Sequence, residues 1–147
     1  MEEKLKELIS NYQVSHSLPR QFYTSETLYK MDIEHYWNHS WIWVGHVNQI
    51  PNTGDFFLFD YGYESVIVAR DKNKDVNALL NVCRHRGSRV CLEKSGNTRV
   101  FACPYHAWTY ELDGNLRAAR EMGDSFDKAE HSLKKVNIRI FHGLIFV

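Results

Sequence analysis

The sequence predicts an all-β fold, a small barrel or sandwich with two ligand-bearing loops, preceded by a short helical segment. Three observations predict it. From residue 41 onward the chain breaks into short runs rich in β-branched and aromatic residues, and turn signals separate those runs. Two Cys/His pairs, Cys83 with His85 and Cys103 with His106, each follow such a run. At 147 residues the chain has room for one domain with a real core and not for two of ordinary size.

Residues 1–40 read as a helical and extended lead-in. "EEKLKELISNY" sets Leu5, Leu8, Ile9 and Tyr12 at helical spacing, and "SETLYKMDIEHYW" opens on a capping-box-like Ser25 followed by Leu28, Met31 and Trp37. Between them "SLPRQFYT" is broken by Pro19 and is predicted to be extended. Residues 41–147 form the β domain. "WIWVGHV", "DFFLFDYG", "SVIVARD", "VNALLNV", "TRVFACP", "HAWTYEL", "VNIRIFHG" and "LIFV" are its strands, with "PNTGD", "DKNKD", "KSGN" and "LDGN" as turns. "NALLNV" runs into Cys83 and "TRVFA" into Cys103, so both pairs fall on loops that follow strands. Two neighbouring loops can converge four ligands on one centre while the sheet holds them rigid.

Lys+Arg and Asp+Glu both total 18, so nothing marks a nucleic-acid backbone or an anionic membrane as a partner. The start, "MEEKLKELISNYQ", lacks the apolar run of an export signal, and no segment approaches the roughly 18 apolar residues of a membrane span. These features place the chain in the cytoplasm. Three cysteines, two with histidine neighbours, argue against a disulfide framework. Cys91, the remainder, is expected as a small buried apolar residue, with a redox-sensing thiol as its alternative.

The ligand order is C-x-H, 17 residues, then C-x2-H. A small zinc site commonly takes both cysteines from one pair and both histidines from the other; here each pair is mixed, and the first has a single intervening residue. The mixed order suits a two-iron cluster, with Cys83 and Cys103 on one iron and His85 and His106 on the other, although zinc stays open as an alternative. Two ferric ions, two sulfides and two thiolates sum to zero charge with neutral imidazoles. Four thiolates would leave the oxidised centre doubly negative. Adding an electron to the neutral centre costs less, which raises its potential into a range of roughly −150 to +300 mV. Such a centre carries single electrons and does no substrate chemistry by itself.

"CRHRGSRVC" followed by "CPYHAWTYELDGNLRAA" resembles the N-terminal Rieske domain of the Rieske non-haem iron oxygenases, the large subunits of aromatic-ring-hydroxylating dioxygenases and of related quaternary-amine demethylases. The likeness extends from about residue 18, through "LPRQFYTSETLYKMDIEHYWNHSWIWVGHVNQIPNTGDFF", to the closing "HGLIFV". It implies a Rieske-type 2Fe-2S cluster with Cys83 and Cys103 on the inner iron and His85 and His106 on the outer. It also implies a tight turn at Gly87, and backbone amides of Arg86 to Ser88 and Tyr105 to Trp108 aimed at sulfur. Trp108 is either a shield for the cluster or ordinary core. Respiratory Rieske proteins add a disulfide and a hydroxyl at the cluster. The positions after the histidines here read "RGS" and "AWTY", and Cys91 has no free partner, which points to the low end of the potential range.

The resemblance further implies a reductase or ferredoxin as electron donor, assembly of the full-length subunit as a homo-oligomer (a trimer), and a mononuclear Fe(II) acceptor held by two histidines and a carboxylate in a C-terminal catalytic domain. That domain is expected to be missing from this chain. Asp32, His35 and His39 have the right residue types at helical steps, but they precede the cluster motif and are expected to be a solvated helix face. A free-standing Rieske ferredoxin-like carrier is the alternative to an oxygenase domain. Arg84, Arg86, Arg89, Lys94 and Arg99 form a local basic excess around the ligands, suited either to steering an acidic redox partner or to a plain solvated loop surface.

Overall fold

The fold was analysed on a computed structural model that describes residues 2–120, 122–123 and 125–147. It forms two compact units, one ending at Trp41 and the other spanning Ile42–Val147. In the first unit α1 (Glu2–Ser10) and α3 (Glu26–His35) follow the sequence expectation, and the Ser25 hydroxyl caps α3 by accepting from the Leu28 N–H at 3.4 Å. "SLPRQFYT" departs from it. Gln21–Thr24 forms a short helix, α2, because the Pro19 carbonyl accepts the Phe22 N–H and starts a turn. Proline constrains the residue before it; after it, its fixed φ suits a helix start.

Among the described residues the second unit has ten strands: β1 (Trp43–His46), β2 (Asp55–Tyr61), β3 (Glu64–Arg70), β4 (Val76–Leu80), β5 (Ser95–Asn97), β6 (Phe101–Ala102), β7 (Thr109–Tyr110), β8 (Leu116–Ala118), β9 (Arg139–Phe141) and β10 (Leu144–Phe146). They divide among three antiparallel sheets, ordered β1-β10-β9, β4-β3-β2-β5 and β6-β7-β8. The arrangement is a layered sandwich, with the four-stranded sheet in the middle. "KSGN", read as a turn, instead supplies β5, which pairs with β2 through Phe56 and Gly96. Propensity disfavours Ser-Gly-Asn as a strand, and an available sheet edge overrode it. On the opposite edge residues 134–136 run beside β4: Leu80 N–H donates to Lys134 and Val136 N–H to Ala78, each at 2.9 Å.

The central sheet is apolar on both faces, which explains why "SVIVA" reads as an unbroken hydrophobic run. Phe56, Ile67, Ala69 and Leu79 face one core, shared with Cys83, Cys103, Trp108 and Tyr110. Val66, Val68 and Ala78 face the other, closed by Ile50 and Ile145. Side chains alternate across a strand, so one register satisfies both cores. The sheet that carries the second ligand loop, between β6 and β7, therefore packs directly on the central layer, whose β4 leads into the first loop. No helix among the described residues is long and apolar enough to cross a membrane.

Substitutions on both faces of β3 should therefore be costly. Ile67→Ala is expected to cost about 2–5 kcal/mol and Val68→Ala about 1.5–3 kcal/mol, measured by urea unfolding of the whole chain. A strand with one solvated face would show a large effect at only one of the two positions.

Candidate metal centre

The two ligand loops share one backbone plan. In the first, Cys83 N–H donates to the Ser88 carbonyl at 2.8 Å and Gly87 N–H to the Cys83 carbonyl at 3.0 Å. In the second, Cys103 N–H donates to the Trp108 carbonyl at 2.8 Å and Ala107 N–H to the Cys103 carbonyl at 2.9 Å. Each loop thus closes over six residues on its own cysteine. The tight turn requires a left-handed residue at the fifth position, and Gly87 (φ +74°) and Ala107 (φ +57°) supply it. A Cβ on Gly87 would meet nothing within 4 Å, so glycine serves there for its φ and not for room. The equivalence was hidden in the sequence because the histidines sit one place apart in the common frame, third in one loop and fourth in the other.

These loops sort the four side chains by chemistry. Cys83 and Cys103 are each 3% exposed and lie against one another, while His85 is half-buried and His106 is exposed. The two imidazole rings meet at 4.6 Å and 72°. Sulfur is inside and nitrogen outside, each type paired with its own kind across the loops. Among the described residues no group of three or more His, Cys, Asp or Glu side chains converges on a single-ion position. A mononuclear zinc site would need such a group. Asp32, His35 and His39 do not provide one either. They are exposed, and α3 ends at His35, with His39 in a separate 3-10 turn, so they share no continuous helix face.

The donors fit a two-iron cluster. His85 Nδ1 is buried with no hydrogen-bond partner among the described residues. An orphaned nitrogen of that kind is costly unless a ligand takes its lone pair. Burial first, then the neighbouring His106 and Arg86 charges, push the His85 imidazole down and keep it in the neutral, electron-donating form. Burial pushes the Cys83 thiol up, against hydrogen bonds from Tyr110 and the His85 backbone. A thiolate at that position needs a cation beside it, which ferric iron supplies.

Two residues that sequence reasoning missed hold the site. Tyr110 is fully buried. Its hydroxyl lies 3.3 Å from Cys83 Sγ and accepts the Arg84 N–H at 3.0 Å. Toward an ionised Cys83 sulfur, which can only accept, the phenol is the donor. Burial and the Cys83 contact push the Tyr110 phenol up, so it stays protonated and keeps donating. A hydroxyl, that of Tyr110 in "AWTY", therefore stands beside Cys83 Sγ, although the segment pointed to the low end of the potential range. Asn81 is the second. Its Oδ1 accepts the Val90 and Cys91 N–H groups at 2.9 and 2.8 Å, and its Nδ2 donates to the Cys91 carbonyl and the Ser65 hydroxyl. One buried amide thus ties the segment that leaves the first loop to the strand that precedes it. Three hydrogen-bonding neighbours distant in sequence gave no local signal for it.

The remaining expectations divide. Gly87 and Ala107 amides close the loops on carbonyls and are not free for sulfur, whereas the His85 amide, outside the expected set, reaches Cys83 Sγ. Trp108 is core, 2% exposed, and it also stacks on His85 at 4.8 Å and 9°. Cys91 is a buried thiol pushed up by burial, in contact with the Glu93 carbonyl. Of the basic residues, Arg84 and Arg86 are exposed on the first loop, and Arg89 pairs with Asp60 at 3.3 Å. Arg99 instead lines a cleft of about 320 Å³ with Asp71, Lys72 and Asp113, beside the turns that follow β3 and β7.

Two loops that present paired inner thiols and paired outer imidazoles on a layered β scaffold define an iron–sulfur electron-transfer domain with mixed Cys/His ligation. Residues 40–137 match the Rieske [2Fe-2S] domain, and the chain belongs to that family. It is 38% identical over 142 residues to the oxygenase subunit of glycine betaine monooxygenase from Chromohalobacter salexigens, covering 96% of this chain and 32% of that one. Against the biphenyl dioxygenase alpha subunit of Paraburkholderia xenovorans it is 34% identical over 139 residues, covering 88% and 30%. Its fold is similar to that of naphthalene 1,2-dioxygenase from Rhodococcus sp., with a TM-score of 0.87 at 30% identity over 98% of this chain and 34% of that one. The apo form of a quaternary ammonium Rieske monooxygenase gives a TM-score of 0.82 at 33% identity over 96% and 42%. The chain thus spans about a third of the length of the curated relatives it matches.

Tyr110→Phe removes a proton donated to a ligand sulfur and is expected to lower the reduction potential of the loaded protein. If the lost bond strengthens by about 1.4 kcal/mol on reduction, the shift is about 59 mV; protein-film voltammetry reads it. An unchanged potential would show that the hydroxyl does not act on the sulfur.

Proposed function

We propose that this chain is the electron-input domain of a Rieske-type oxygenase, with Cys83 and Cys103 holding one iron of a 2Fe-2S cluster and His85 and His106 the other. The sorting of donors carries this reading: thiols paired inside, imidazoles paired outside, and one buried imidazole nitrogen lacking a partner. When bound, the cluster supplies reversible one-electron chemistry. The chain's own residues do the rest. Tyr110 steadies a ligand sulfur, Trp108 keeps water from one face of His85, and exposed His106 presents the outer edge of the centre to a redox partner.

The activity of the whole subunit is proposed from its relatives. A reductase or ferredoxin delivers electrons at the His85/His106 edge. The acceptor is a mononuclear iron on another domain or, in a trimer of full-length subunits, on a neighbour. Those relatives are named for glycine betaine and for biphenyl, so a methylated amine and an aromatic ring are the two substrate classes this reading carries. Three free cysteines support a cytoplasmic setting.

Iron and acid-labile sulfide in equal amounts, with a paramagnetic signal after reduction, are expected from the purified chain. Cys83→Ala and Cys103→Ala should abolish both, and His85→Ala and His106→Ala should do the same or leave an unstable centre. Stoichiometric zinc without sulfide would refute the assignment. We also propose that Arg84 and Arg86 steer an acidic donor. The Arg84→Gln, Arg86→Gln double variant should slow cluster reduction about tenfold at low ionic strength, while the reduction rate of the parent chain falls with added salt. Stopped-flow rates indifferent to salt would remove the steering role.

A further inference from the structure

The two imidazoles have unequal surroundings, and the difference comes from a segment that carries no ligand. His106 is exposed and touches only Tyr105 (3.9 Å) and His85 (4.6 Å) among its ring contacts in the described residues. His85 is sandwiched. Trp108 lies parallel on its face at 4.8 Å, and Trp108 is in turn backed edge-on by Phe126 at 5.3 Å and His131 at 5.8 Å. Phe126 and His131 also touch one another at 4.4 Å. Both belong to the stretch between β8 and the return beside β4. That stretch is fixed at its far end: His131 Nδ1 donates to the Asp127 carbonyl at 2.8 Å, Leu116 N–H donates to the Ser132 hydroxyl at 3.4 Å, and Leu133, buried, donates its N–H to Gly114 at 2.8 Å.

Resting on the cluster assignment above, we propose that Phe126 and His131 are positioning residues for the centre: together they clamp Trp108 onto His85, fixing the orientation of that imidazole and keeping water off its inner face. The consequence follows from charge. With neutral imidazoles the oxidised centre is neutral and the reduced centre carries one negative charge, so water admitted beside His85 stabilises the reduced form and raises the potential. Loosening the clamp thus acts on the redox equilibrium through Trp108, without touching a ligand. His106, outside the clamp, is left unaltered by it.

The test compares the loaded parent chain with Phe126→Ala and His131→Ala by voltammetry and by electron paramagnetic resonance of the reduced state. Iron and sulfide content of the parent is measured first. A parent without them overturns the cluster assignment and the clamp together; with the cluster present, later outcomes bear on the clamp alone. The expected result is full cluster content, a potential raised enough to shift the oxidised-to-reduced ratio about tenfold, or 59 mV for one electron, and altered g-values reporting a turned imidazole. Phe126→Tyr and His131→Phe, which keep the aromatic contact, should restore the parent potential and spectrum. Unchanged potential and g-values in both alanine variants, whatever their thermal stability, would overturn the proposal. If an alanine variant loses the cluster, Phe126→Leu decides: a raised potential supports the clamp and a parental one overturns it.

Discussion

The structure depends on placing two thiols side by side in a nearly water-free interior. Cys83 and Cys103 share the core with Ile67, Leu79 and Tyr110, where a lone thiolate would be penalised. Burial alone pushes Cys83 toward its neutral form. Ionised sulfur in that position is tenable only with positive charge beside it and donated protons around it, and the fold provides for both. A cation held by the two thiols would be met from the solvent side by the imidazoles, and Tyr110 and the His85 amide lie within hydrogen-bond reach of Cys83 sulfur.

The layered architecture serves this requirement. A sheet buried on both faces gives the ligand loops a rigid floor, and Asn81, directly after β4 and two residues before Cys83, binds the segment that leaves the first loop. The same two-bond closure then appears in each loop. Two copies of one loop frame, one following β4 in the central sheet and the other joining β6 to β7 in the sheet packed on it, bring like donors together even though the sequences between Cys and His differ in length. The positive φ at Ala107 is the visible cost of keeping that frame without a glycine, roughly 1–2 kcal/mol for an L-residue.

Function and stability overlap at the aromatic shell. Trp108 belongs to the core and lies on His85, and Tyr110 belongs to the core and reaches Cys83. Side chains buried for packing are thereby also the nearest dipoles and the nearest barrier to water around the centre, which are the levers a protein has over a redox group. The two imidazoles differ in their surroundings: His85 is walled by Trp108, and His106 is open to solvent.

The sequence by itself determined the fold class and most of the strands, and it singled out Cys83, His85, Cys103 and His106 as the candidate donors that the structure brings together. Each rests on local pattern: period-two apolar runs, turn residues, and a Cys-x-His and Cys-x2-His pair spaced along the chain. It also carried the family resemblance, because that resemblance lies in a contiguous motif. Where local pattern and tertiary demand diverged, the sequence misled: "SLPRQFYT" turned helical, and "KSGN" became an edge strand because β2 offered unpaired backbone. Only the tertiary structure decided that the two loops share one six-residue frame, that Ala107 stands in for a glycine, that Tyr110 reaches Cys83 across 27 positions, and that Asn81 fastens the first loop. These are contacts between residues far apart in the chain, set by which side of a strand each falls on and which loop lies next to which, and no window of sequence contains that information.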